Sequence, residues 1–524
     1  MRRMWLPTAV LVLCATACGA GPSVRPDVAV VERGDGSTTG PTGPTAVQGP
    51  PPLAAPVHDL DWRDCTRTTL DVLGLAPGPT GLVLECAELA APIDAGGRIR
   101  GSFSLGALRA RLPQTPADAA PLVLTSGADR SSTSTLAALA AGPLPALLSA
   151  RPLVALDRRG IGTSTPIECT APKENPTLGR QMLDLGQFTP PPVAGGDAVD
   201  TVMALGRDAT TACTDFLEPQ ELAFDASHAA DDLEQLRRTW SVDRLGLLAT
   251  GSGGDVALAY AAKHPGAVGR LVLDSPATVR SDAVTAAETR VRGQEAALGS
   301  FARQCAALAC ALGPDPHAAV LDLIHRAGAG QLGPISSNAL AAVLTDFLGT
   351  PRGDQQARVR EFADVLAAAG RGDTAGLSGL VDRAAADTDS DGQFVARCSD
   401  GQRWPTPGRV RELQQDWGQR YPAFGPDAAL SLLLCASWPT TEAQPTPSAL
   451  SAPVLTISGA ADPVAGNGAS SASGVVAAAG APNSTLAWLG SGHPASSHSE
   501  CAQQSVLTYA ADGTLPPDGG ACPG

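Results

Sequence analysis

Short, continuously apolar runs that alternate with stretches of helical period constrain this chain more than any other feature in it. Leu122-Val123-Leu124, Leu153-Val154-Ala155-Leu156, Leu245-Gly246-Leu247-Leu248, Leu271-Val272-Leu273 and Val454-Leu455-Thr456-Ile457 are bounded by turn residues, the pattern of strands buried on both faces. Helical patterns lie between several of them, most clearly Ser227 to Trp240, where a polar start is followed by Leu233, Leu236 and Trp240 on one stripe. Strands alternating with helices need crossovers, and crossovers give an α/β fold: a mostly parallel sheet with helices on both faces. From 275 to 445 the strand pattern lapses into Ala-, Arg- and Asp-rich helical stretches and then resumes. A core in two parts, 58–274 and 446–524, with a helical cap inserted between them is therefore expected.

The 524 residues carry 37 basic and 52 acidic side chains, a net charge of −15. No basic run follows Arg2-Arg3, which argues against a nucleic-acid partner. Residues 1–18 start basic and continue apolar, too short for a bilayer span of about 20 residues, and read as a signal peptide. Ala15-Thr16-Ala17 before Cys18 resembles a lipobox, so Cys18 is the expected lipidation site and a lipid anchor the only membrane attachment, with plain secretion as the alternative. Residues 19–57 are rich in Gly, Pro, Ser and Thr without apolar period and read as a disordered tether.

Of twelve cysteines, Cys14 and Cys18 belong to the leader, which leaves Cys65, Cys86, Cys169, Cys213, Cys305, Cys310, Cys398, Cys435, Cys501 and Cys522. An even number in an exported chain predicts disulfides. Consecutive pairing, 65–86, 169–213, 305–310, 398–435 and 501–522, closes five local loops and is the pattern expected. None forms a CxxC and no histidine stands at ligand spacing, so no metal site is expected.

Between the strand candidate Leu245–Ala249 and a helix candidate Asp255–Lys263 lies Thr250-Gly251-Ser252-Gly253-Gly254. A serine on a tight strand-to-helix turn presents its oxygen above the sheet, and the next amide stands at a helix N-terminus. Ser252 is thus the candidate nucleophile and the Gly253 amide a candidate oxyanion donor. Asp462, in the loop after Val454–Ile457, is the candidate orienting acid, its bland alternative being a helix cap before Pro463. His493, on a glycine-flanked loop after Leu486–Leu489, is the candidate base, with His498 as its rival. Ser, Asp, His is the chain order of the α/β-hydrolase triad.

On these residues the chain resembles the secreted tripeptidyl-aminopeptidase-like serine peptidases, relatives of proline iminopeptidases. The resemblance extends through Asp61-Trp62, Asp157-Arg158-Arg159-Gly160-Ile161-Gly162-Thr163-Ser164, Asp231-Asp232-Leu233, Arg270 to Asp274, Trp438-Pro439 and Asp512-Gly513-Thr514-Leu515-Pro516. It implies an α/β-hydrolase sheet with a helical cap, no cofactor, and cleavage of short peptides from free N-termini or of small ester and amide surrogates. The departures cluster at the elbow, where the family usually reads Gly-Gly-Ser-Tyr-Gly-Thr. Here Thr250 replaces the first glycine, with strain as the expected result, Gly253 the aromatic and Asp255 the threonine. The second oxyanion donor is expected from Gly127 or Ala128 in Ser126-Gly127-Ala128-Asp129-Arg130, which stands where the family carries Gly-Gly-Pro-Gly. A carboxylate at Asp129 opposes an oxyanion unless Arg130 or solvent screens it. The expectation is an extracytoplasmic serine hydrolase of peptidase type, with an esterase or a catalytically impaired binding lipoprotein as alternatives. A free amine needs an acid beneath the cap; Asp364, Asp382, Asp400 and Glu442 are the candidates.

Overall fold

The computed structural model describes residues 52–142, 144–170, 197–350, 355–388, 390–439 and 442–524. Ten strands form one sheet in the order β1-β2-β3-β5-β4-β6-β7-β8-β9-β10. They are β1 Arg63–Asp64, β2 Val83–Pro92, β3 Ser102–Arg111, β4 Leu122–Thr125, β5 Leu153–Leu156, β6 Leu245–Gly251, β7 Val268–Pro276, β8 Val454–Ala461, β9 Asn483–Ser491 and β10 Gly520–Cys522. The pairs from β1 to β5 are antiparallel; those from β5 through β4 to β10 are parallel. The five apolar runs are β4 to β8. Every residue of β4, β5, β6 and β7 is buried, because helices cover both faces. Ala226–Trp240, Gly253–Lys263 and Ala469–Ala478 pack on one face. Ser132–Ala141, Pro145–Ala150 and Glu500–Asp512 pack on the other.

The antiparallel edge carries no uninterrupted apolar run, which is why the sequence pattern passes over it. Charges break β2 and β3, and they pair across the strands: Glu85 meets Arg109 at 2.8 Å and Arg111 at 2.9 Å. The amino-terminal edge of the body also differs from expectation. Leu53 packs against the sheet cluster and the Val57 amide donates to Trp240 O at 2.9 Å, so chain assigned to the tether as far as 57 is already docked. A single leucine among prolines has no periodicity to betray its partner. The expected signal peptide, Cys18 and the tether up to residue 51 lie outside the described residues. Among the described residues no helix is long and apolar enough to cross a membrane.

Helices from Ala283–Ala307 to Gly425–Ser431 form the cap around Phe301, Phe362 and Trp417. Phe347 stacks on Phe362 with ring centroids 3.9 Å apart. One further element comes from upstream: helix Ala198–Leu217 buries Val199 and Val202 in the same apolar cluster. The five disulfides are the consecutive pairs. Cys169–Cys213 fastens this upstream helix, and Cys398–Cys435 closes the cap's own return.

Candidate active site

Asp462 follows β8, and its Oδ1 accepts the amides of Val464 and Ala465 at 2.8 and 2.9 Å. The turn therefore wraps its own carboxylate and aims Oδ2 at His493 Nδ1, 2.7 Å away. Both side chains are buried. Burial alone would lower the His493 pKa, but the charge and hydrogen bond of Asp462, and then the charges of Asp129 and Asp274, hold it above the usual histidine range. Asp274, at the end of β7, accepts the amides of Ala495 and Ser496 at 3.0 and 3.1 Å and so fixes the histidine loop. The cap takes part too: Gly349 O, at the end of helix Ser337–Gly349, accepts the His493 amide at 3.0 Å. Gly293 in helix Ala283–Ala307 lies where any side chain would collide with Asp462 O, and Gly466 presses equally on Thr289 O. His498 has a different part. Its ring stacks on Trp488 at 5.3 Å, its Nε2 donates to Gly349 O at 3.3 Å, and burial keeps it neutral with a pKa of about 4.

The elbow departs from the sequence picture. β6 runs to Gly251 and the next helix starts at Gly253, so Ser252 is the N-cap with near-helical φ −69° and ψ −8°. The left-handed corner falls one residue earlier, on Gly251 at φ 55°, where glycine adopts it with no Cβ to hinder it. Ser252 Oγ accepts the Ala128 amide at 3.0 Å and donates to Ser126 O at 3.5 Å; neither contact is with His493. Thr250 brings no left-handed strain: its Oγ1 shares a hydrogen bond of 3.0 Å with Ser126 Oγ, tying β6 to the loop after β4. Gly253 admits no side chain, because a Cβ there would strike Thr125 O. Gly127, at φ 64°, leaves no space for a Cβ beside Ser252 Oγ and Gly253 N. Of the expected oxyanion residues, Ala128 places its amide on the hydroxyl, while Gly127 permits the approach.

Asp129 bears directly on this turn. Its Oδ2 accepts the Ser252 amide at 2.6 Å and its Oδ1 lies 3.4 Å from Arg290 in the first cap helix. Arg130, expected to screen it, turns away to Asp346 at 2.9 Å and Thr350 at 2.6 Å. A neighbour 161 positions along the chain has no sequence signature.

Ser252, Ala128 and Asp129 line a cavity of about 1420 Å³ beneath the cap. Of the four acids expected there only Asp400 lines it; Asp364, Asp382 and Glu442 are exposed on the surface. Asp400 is already committed, to Arg158 at 2.6 Å and to the Ala226 amide at 2.7 Å. Asp255, also in the cavity lining and one helical turn from Ser252, is an uncommitted acid. Among the described residues no donor reaches its carboxyl. Burial, and then the charges of Asp400 and Asp129, push it up to about 8 against the pull of Arg158. Among the described residues no three His, Cys, Asp or Glu side chains are grouped to hold a metal ion.

Residues 141–328 match the family described as alpha/beta hydrolase fold, and residues 421–522 the family described as TAP-like protein. Serine protease Hip1 of Mycobacterium tuberculosis and of Mycobacterium bovis is 27% identical over 529 residues, covering 92% of this chain and 93% of the relative. Among solved structures, a proline iminopeptidase from Mycobacterium smegmatis is 14% identical with a TM-score of 0.35, covering 81% of this chain and 97% of that one. The chain is a serine hydrolase of the α/β-hydrolase fold, and through its carboxyl-terminal match and its similarity to Hip1 it is similar to the TAP-like serine peptidases.

Proposed function

We propose that this is an extracytoplasmic peptidase that takes short peptides by a free N-terminus into the cavity under the cap and turns them over slowly. One observation supports it above others: an uncommitted carboxyl at Asp255 stands one helical turn from Ser252 inside a covered cavity. A substrate ammonium arriving close to the scissile carbonyl would lower this raised pKa, displace the proton and pair with the resulting carboxylate. Side chains one turn apart on a helix stand about 5–6 Å from each other, and each added residue moves the amine up to about 3.5 Å further. Release of single residues is therefore favoured over release of longer pieces. Five disulfides support an oxidising, extracytoplasmic compartment.

In turnover the Ser252 hydroxyl leaves the Ala128 amide, attacks the carbonyl carbon and passes its proton to His493 Nε2, while Asp462 holds the imidazole. The Ala128 and Gly253 amides receive the oxyanion. His493 then protonates the departing amine, and water, deprotonated by the same ring, releases the acyl group from Ser252. Contacts that are loose without substrate commonly tighten in its complex. The Asp129 carboxylate on the Ser252 amide opposes the developing charge, which keeps the rate low.

A fluorophosphonate probe is expected to label the protein slowly, and Ser252→Ala to abolish the label; an unlabelled wild type would instead indicate a peptide-binding protein without turnover. Between peptidase and esterase, an alanine anilide with a free amine is expected to be cleaved in preference to its N-acetyl form. Asp255→Asn is expected to reduce that preference roughly 10- to 100-fold, the value of one hydrogen bond to a charged group. Equal rates for the two anilides in wild type, alongside ester cleavage, would put the esterase in its place.

A further inference from the structure

We infer that Gly251, not Ser252, occupies the seat of the nucleophile at this elbow, and that the Asp129 carboxylate fills the oxyanion site belonging to that seat. Gly251 has the left-handed φ of 55° at the strand-to-helix corner, the place from which a nucleophile is presented. A Cβ built on it lies 3.5 Å from both Nε2 and Cε1 of His493. A hydroxyl on that carbon reaches Nε2 at hydrogen-bond distance, whereas the Ser252 hydroxyl is engaged by Ala128 and Ser126. The base, with Asp462 behind it, therefore faces position 251.

The oxyanion donors follow the same register. Beside a nucleophile at 251, the next amide along the chain is that of Ser252, at the start of helix Gly253–Lys263. This amide is not vacant: Asp129 Oδ2 accepts it at 2.6 Å. The same oxygen stands 2.5 Å from the Cβ built at Gly251, and Arg290 balances its partner oxygen from the cap. An acid of the chain thus holds the place that the charged oxygen of a reacting carbonyl would take. The inference rests on His493 and Asp462 as base and orienting acid, and it explains why attack by Ser252, one residue out of place, is slow.

Two substitutions test it. In a Ser252→Ala background, Gly251→Ser is expected to react with a fluorophosphonate at least about 100-fold faster than wild type, the scale of a correctly placed general base. The new oxygen bonds to phosphorus, its proton passes to His493 Nε2, and fluoride leaves. Adding Asp129→Ala removes the collision at 2.5 Å, frees the backbone amide at position 252 and is expected to raise the rate further, with the adduct mapped to position 251. Rates no higher than those of Gly251→Ala, an adduct elsewhere, or unfolding of both the single and the Asp129-relieved variant would each overturn the inference. Slow labelling of wild type that is lost in Ser252→Ala supports the hydrolase reading whatever the 251 variants do, so the two can fail separately.

Discussion

Asp232→Ala is expected to lower the free energy of unfolding by about 3–5 kcal/mol, seen as an earlier guanidinium midpoint by circular dichroism under non-reducing conditions. Asp232 and Arg159 are each only 3% exposed. The acid meets the guanidinium at two points, 2.9 Å from Nε and 2.7 Å from Nη2. The remaining guanidinium protons go to the carbonyls of Pro92, Ile93 and Ala223, so one cation joins the end of β2, the approach to helix Ala226–Trp240 and the helix itself. Removing the carboxylate leaves a buried positive charge with only neutral acceptors. The loss reflects that orphaned charge more than the net strength of the pair, whose desolvation is costly. Replacing Arg159 by Leu in the same chain is therefore expected to recover much of the loss. A single-variant effect below about 1 kcal/mol, the scale of an exposed ion pair, would contradict this account.

Asp462→Asn is expected to reduce reaction of the elbow hydroxyl with a fluorophosphonate by about 10⁴-fold. In wild type this falls below detection, and in the Gly251→Ser chain it is measured as a ratio. The amide oxygen can still accept the Val464 and Ala465 backbone donors that Oδ1 now holds, so the loop keeps its shape. Its NH₂ group, however, donates to His493 Nδ1, which forces the ring proton onto Nε2 and leaves no lone pair to receive a proton from a hydroxyl. Loss of the carboxylate also leaves desolvation as the main influence on the imidazolium, so the His493 pKa is expected to fall in an NMR titration. A labelling rate within tenfold of the parent would show that the acid has no part in the reaction.

The sequence shows the parallel half of the sheet because strands buried on both faces leave unbroken apolar runs; β4 to β8 coincide with the five runs that mark them. β2 and β3 escape notice because Glu85, Arg109 and Arg111 interrupt them, and what stabilises them is pairing between strands far apart in the chain. Asp462 and His493 are legible because loops at strand ends carry glycine and proline punctuation. The register of the elbow is not, since a run of Gly-Ser-Gly-Gly permits the left-handed corner at more than one position, and tertiary approach by Asp129 and Thr125 decides which. The committed states of Arg130 and Asp400, and the uncommitted one of Asp255, depend on partners contributed by distant segments, for which no local pattern exists.

Gly293, Gly466 and Gly349 put the roof of the cavity in direct backbone contact with the loops bearing the acid and the imidazole. A lid stitched to its own machinery cannot swing clear without pulling those loops out of line. On the peptidase reading proposed above, a substrate would then be threaded in by a free end rather than engulfed, which favours slender, unstructured chains over folded proteins. The same stitching makes local loosening of the roof indistinguishable from loss of the acid–imidazole pair, so heat should silence the site as soon as the cap frays, before the sheet itself gives way.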